Sequence, residues 1–167
     1  MGRVLQIQQL TRAAFAPFGD VLEASGTADK IINQGLCGRF HDLATLDFCG
    51  DTARAGISLF RSKARTLPYR LEMMERHPLG SQAFIAMSAE PFLSIVAADE
   101  NGRPGTPLAF ITAPGQGVNY YRNIWHGVLT PLAEPGLFAV VDRIGEGENL
   151  EEHWFKSPFL IERTEPG

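Results

Sequence analysis

The sequence predicts a mainly β fold, a barrel or sandwich carrying one or two short helices. Three observations lead to that expectation. Short runs in which apolar residues alternate with polar ones, or stand unbroken, recur from Ala55 to Ile144. The segments between these runs are rich in Gly, Pro and Asn, the residues that turns require. A helical pattern is confined to one stretch near the start of the chain.

In chain order, RVLQIQQL alternates as a half-buried strand does. In LTRAAFAPFGD, Thr11 is placed as the N-cap of a short helix that Pro17 and Gly19 stop. VLEASGTADKIINQG reads as a strand and a punctuated loop, and RFHDLATLDF stays open between a strand and a turn of helix. AGISLFRS, QAFIAMS, PFLSIVAAD, PLAFITA, GVNYYRN, HGVLTPL and LFAVVDRI read as strands. KARTLPYR, AE, ENGRPGT, PGQ and AEPG read as their connections. EEHWFKSPFLIERTEPG is a last strand or an arm, whose Trp154 and Phe159 need covering. No repeat or linker interrupts the chain, so residues 1–167 are read as one domain.

At 44% hydrophobic and 20% charged residues the composition is that of a globular protein, with no apolar run near the ~20 residues that span a bilayer. MGRVLQIQQLTRAAF lacks a leader's continuous apolar stretch, and a cytoplasmic location away from membranes is expected. A net charge of −4 gives no attraction for a phosphate backbone, so nucleic acid is not an expected partner. Cys37 and Cys49 lack CxxC spacing and are read as small buried hydrophobes rather than zinc ligands or a disulfide. His153 is read as exposed.

NYYRNIWHG, from Asn119 to Gly127, is the chain's densest cluster of polar and aromatic groups. Strand alternation puts Tyr120, Arg122, Ile124 and His126 on one face and Asn119, Tyr121, Asn123 and Trp125 on the other. Arg122 and His126 facing one lumen would suit a small carboxylate and acid–base chemistry on it, since Arg pairs with carboxylates bidentately and His titrates near neutrality. In EMMERHPLGSQAF, Glu75, His77 and Gln82 precede the strand AFIAM, and with His126 they form a set able to bind a divalent metal or to act without one.

Together the two segments resemble the two motifs of the cupin superfamily, a double-stranded β-helix whose first motif is H-x-H followed by Glu and whose second carries one more His. Glu75 stands where the first His is expected, His77 matches the second, Gln82 stands near the Glu, and His126 is the candidate for the remaining position. NQGLCGRFHDL, ERHPLGSQAFIAM, GVNYYRNIWHGVL and VDR are similar, in order and spacing, to the ureidoglycolate lyase family of allantoin catabolism, over roughly Val4 to Phe159. The resemblance implies a cupin-like barrel, a homodimer and cleavage of (S)-ureidoglycolate into glyoxylate and urea. It also implies nickel or another divalent ion, with His77, Gln82, His126 and Glu75 as the possible ligands.

The substrate is a carbinolamide, so its cleavage needs a base for the hydroxyl proton, an acid for the departing nitrogen and no redox cofactor. His126 or His77 is the expected base, and Glu75 or Tyr120 the expected acid. Arg61, Arg122 or Arg143 is expected to clamp the carboxylate, and Asn119, Asn123 and Gln82 to read the ureido group. Trp125 and Tyr121 are expected in a core or dimer contact. Arg39 belongs to a loop that would cap the cavity mouth, where His41 and Asp42 are expected to pair locally. Two other readings stay open. One is a cupin-like module that binds a small acid without turning it over, and the other is a metal-dependent isomerase or oxygenase, which would want a fuller His set.

Overall fold

The computed structural model describes residues 3–163; the ends of the expected domain, residues 1–2 and 164–167, lie outside the described residues. The first strand, β1 (Arg3–Gln9), leads into a single helical turn, α1 (Arg12–Phe15), capped as expected by Thr11, whose Oγ1 accepts from the Ala14 N–H at 3.2 Å. β2 (Gly19–Leu22) is followed by a small hairpin, β3 (Lys30–Ile32) and β4 (Cys37–Arg39). The remaining strands are β5 (Arg54–Arg61), β6 (Tyr69–Arg76), β7 (Gln82–Ala86), β8 (Phe92–Ala97), β9 (Leu108–Ile111), β10 (Gly117–Tyr120), β11 (Trp125–His126), β12 (Thr130–Pro131), β13 (Leu137–Ile144) and β14 (Glu151–Glu162).

One sheet runs β11-β6-β14-β1-β9-β8-β12, and a further pairing of β11 with β8 closes six of its strands into a ring. β1 runs parallel to both β14 and β9, so the barrel is mixed. A second sheet, β2-β10-β7-β13-β5, packs against the ring. The expected mainly β, cupin-like fold is what the chain adopts.

Two cores result. Leu71, Met74, Leu93, Ile95, Ala109, Trp125, Phe159 and Ile161 all come from the ring and fill its inside. Phe92, Val96 and Phe110 of the ring meet Val21, Phe84, Val118, Tyr120, Phe138 and Val140 of the second sheet, with Phe15 and Phe18 beside them. β8 is the wall between the two cores: Leu93, Ile95 and Ala97 face one and Phe92 and Val96 the other. That is why FLSIVA is buried at every position and reads as an unbroken apolar run.

Five expectations are corrected here. YRLEMMER is a strand, although its first residues, in KARTLPYR, read as part of a connection. Its Arg, Glu and Met are not strand formers, and pairing with β14 and β11 decides its conformation. The register between β6 and β14 also shifts between Trp154 and Phe159, so the buried Leu71 and Met74 stand three apart and the period-2 signal is broken. HGVLTPL is not one strand: His126 belongs to β11 and Thr130–Pro131 form β12. Trp154 is 62% exposed rather than covered, whereas Phe159 is buried. Cys37 and Cys49 are half-buried free thiols, and His153 is half-buried, edge-on to Trp125 and Phe155.

Phe92 sits on the shared wall with its ring 5.0 Å from that of Phe138, edge to face. Phe92→Ala is expected to cost about 3–5 kcal/mol in urea unfolding; a loss under about 1 kcal/mol would contradict a tightly packed inter-sheet core.

Candidate active site

His126 lies directly opposite Glu75 of β6, so both side chains leave the ring on the side that faces the second sheet. There the His126 ring stacks flat on Tyr120, with centroids 4.4 Å apart and planes 4° from parallel. His77 follows β6 and brings its ring to 5.2 Å from that of His126. One ligating atom from each of Glu75, His77 and His126 falls within 4.8 Å of the others. The two motifs, distant in sequence, therefore meet at one place, between the sheets and outside the closed ring.

Hydrogen bonds at the far edge of each ring set its chemistry. His77 Nδ1 donates to the Asn149 carbonyl at 2.7 Å, and His126 Nδ1 donates to the Gly127 carbonyl at 3.0 Å. A carbonyl only accepts, so each Nδ1 carries the proton and each neutral ring keeps a lone pair on Nε2. Both Nε2 atoms are buried and have no partner among the described residues. Imidazoles held in this way are the usual metal-ligating arrangement, and two Nε2 atoms with a carboxylate fit a divalent cation.

Burial, helped by the neighbouring His77, lowers the pKa of His126 to about 3, so its ring stays neutral across the physiological range. Burial also raises the Glu75 carboxyl above its ordinary value, opposed by His77 and reinforced by Glu152. Glu75 Oε1 lies 4.0 Å from His77 Nε2. Tyr120 is buried, its hydroxyl shares a hydrogen bond with Ser94 at 2.9 Å, and its pKa is raised by burial.

Gln82 lies directly opposite Tyr120 and is 7% exposed. The remaining candidates point elsewhere. β10 ends at Tyr120, and a turn with Asn123 at φ 67° resets the register, so Arg122 does not share a face with His126. The Arg122 Nε donates instead to Asp47 at 2.8 Å on the surface. Asn123 is exposed and engages His77 only through its backbone, with its N–H on the His77 carbonyl at 2.9 Å.

Asn119 points away from His126, donating to Asp20 and to the Thr45 carbonyl, both at 3.0 Å, and so holds the 40–47 segment. Tyr121 donates to Asp20 at 2.7 Å rather than packing in a core, while Trp125 does enter the ring's core. Arg143 donates to the carbonyls of Cys49 at 2.7 Å and Glu146 at 2.6 Å, and ties down the loop that carries Asn149. Arg61 and Arg39 are exposed on β5 and β4. His41 and Asp42 do not bond to each other; the His41 N–H donates to Asp29 at 2.8 Å.

Sequence reasoning passed over Asn149, Ser94 and Asp142. Asn149 is a loop residue known only by its neighbours, and its side chain also accepts from the Leu79 N–H at 2.7 Å. Ser94 and Asp142 did leave a signal, Ser94 as the one polar residue of an apolar strand and Asp142 as the polar residue that ends the apolar run LFAVV.

Because the native ring resists protonation and the unfolded one does not, His126 contributes stability that is whole above pH 6.5 and is lost as pH falls toward about 3. In chelator-treated protein, wild type should lose stability relative to His126→Phe on acidification through this window, by up to about 1.4 kcal/mol per pH unit. Urea unfolding at a series of pH values tests this, and parallel curves would contradict it.

Comparison with known proteins identifies the family. The family model described as ureidoglycolate lyase matches residues 2–162. The chain is 58% identical over 158 residues to a ureidoglycolate lyase of Rhodobacter capsulatus, covering 95% of this chain and 98% of that one. It is 55% identical over 163 residues to one of Chelativorans sp., covering 98% and 99% of the two chains. A ureidoglycolate lyase 2 of Rhizobium meliloti is 51% identical over 158 residues, 95% of this chain and 97% of that one. The chain belongs to the ureidoglycolate lyase family.

Proposed function

We propose that the chain is a lyase that cleaves (S)-ureidoglycolate into glyoxylate and urea, a step of allantoin degradation. The observation that carries the reading is the pair of buried imidazole Nε2 lone pairs facing a carboxyl of raised pKa. Three converging donor groups count against a module that binds an acid without turning it over. A divalent ion held by His77, His126 and Glu75, nickel being one candidate, would lower the pKa of a substrate hydroxyl bound to it.

The chain's own groups divide the proton work. A base must hold the proton it takes, and the depressed pKa of His126 makes it poor at this near neutrality. When no ion holds its Nε2, the half-buried His77 takes the hydroxyl proton there, while His126, braced on Tyr120, orients the reacting centre. Glu75, 4.0 Å from that nitrogen and with its pKa raised, delivers a proton to the departing urea nitrogen. Transfer from His77 to Glu75 restores both groups. Tyr120, engaged with Ser94 and held protonated, serves as the platform for His126. Gln82, the one amide among the candidates beside this group, contacts the ureido portion.

The working form is proposed as a homodimer in the cytoplasm acting on a small molecule, with no nucleic acid or membrane partner. Ile57, Leu59, Ile85 and Met87 form an exposed apolar face on the outside of the second sheet, where Ala139 of β13 links Leu59 to Ile85 across the strands, and this uncovered face supports the dimer reading. Free thiols at Cys37 and Cys49 suit a reducing compartment.

Purified protein incubated with racemic ureidoglycolate, with and without added Ni²⁺ or Zn²⁺, should release glyoxylate and urea in equal amounts from one enantiomer. His77→Gln should reduce kcat by about 10²–10⁴-fold. No release under any of these conditions would eliminate the lyase reading, and a His77→Gln variant of wild-type rate would eliminate the assigned base.

A further inference from the structure

Asp142 of β13 lies directly opposite Gln82 of β7, which in turn lies directly opposite Tyr120 of β10. Opposed residues in antiparallel strands put their side chains on the same face, with Cβ atoms roughly 5 Å apart. The three therefore form a row across the second sheet, and the row ends at the tyrosine ring on which His126 stacks. Within it, Gln82 Nε2 donates to Asp142 Oδ2 at 3.1 Å.

An ionised carboxylate only accepts, so it decides which end of the amide turns toward it. The amide nitrogen faces Asp142, and the carbonyl oxygen is turned away. That oxygen, Gln82 Oε1, is buried and has no donor among the described residues. A buried acceptor left unpaired costs roughly 1–3 kcal/mol, and a donor carried by a bound ligand removes the cost. With the amide reversed, the same position would offer N–H groups and select an acceptor instead. The carboxylate of Asp142 forbids that orientation.

We propose that Asp142 determines specificity for the ureido group, by orienting Gln82 so that its carbonyl oxygen accepts from the terminal NH₂ of the substrate. Asp142 is a positioning residue that acts through Gln82 and does not touch the substrate. The inference rests on the ureidoglycolate reading and names the group that recognises the urea end.

The test compares N-carbamoylglycine with N-acetylglycine, in which a methyl replaces the terminal NH₂ and the carboxylate is kept. Binding of each is measured by calorimetry, alongside turnover of ureidoglycolate by the same preparations. Wild type should bind the carbamoyl compound about ten-fold more tightly or better, the equivalent of one good hydrogen bond. In Asp142→Asn the neighbour can donate as well as accept, so Gln82 can turn over, and the preference should fall toward one while KM rises more than kcat falls. Should that variant not fold, Gln82→Met is expected to lose the same preference, and where both fold the double variant should lose no more than either alone. A wild type that does not distinguish the two compounds, or variants that keep the full preference, would overturn the proposal. Release of no glyoxylate or urea by wild type would count against the lyase reading itself.

Discussion

Two backbone carbonyls govern the chemistry of this molecule. The Gly127 and Asn149 oxygens each accept a hydrogen bond from the Nδ1 of an imidazole, and so leave two buried Nε2 lone pairs in a group whose ligating atoms converge within 4.8 Å. Without them each ring could carry its proton on either nitrogen, and the pair would not present a fixed electron-donating face. Both anchors are main-chain atoms, so the arrangement is set by where the backbone runs. It depends on β11 pairing between β6 and β8 for one ring, and on the 145–150 loop closing over β6 for the other.

The fold supports this by making one strand serve two cores. β8 holds the closed ring together on one side and provides the floor of the inter-sheet space on the other, where its Ser94 reaches Tyr120. The phenyl groups of Phe15, Phe84, Phe92, Phe110 and Phe138 fill that space, Phe15 and Phe84 packing against Tyr120. The polar row of Tyr120, Gln82 and Asp142 crosses the second sheet beside them. A low-dielectric wall behind polar groups is what depresses the His126 pKa and raises that of Glu75, and it makes one neutral ring and one proton-holding carboxyl available at the same pH.

Much of this was legible in the sequence where a side chain's role follows from local pattern. Alternating and unbroken apolar runs identified most strands, and Thr11 announced its helix because capping needs only the next few residues. The grouping of Glu75, His77 and His126 was legible because both motifs flank such runs. The arginines were not. Arg122, Arg143 and Arg61 follow apolar strands in the way a ligand-binding residue would, yet a turn at Asn123, a carbonyl at Cys49 and an exposed strand end decide where they point. Those are tertiary facts with no local signature. β6 was hidden for a related reason, since a shift in its partner's register broke the spacing by which strands are recognised. Asn149 acts on His77 through its main chain, which no residue type reveals.

The most direct test of the central claim is nitrogen NMR of the imidazoles in protein labelled at histidine. Both His77 and His126 should carry the proton on Nδ1 and leave Nε2 bare at neutral pH, and His126 should remain so as the pH is lowered to 5. An Nε2–H tautomer at either ring, or a His126 that titrates like a free imidazole, would contradict the account.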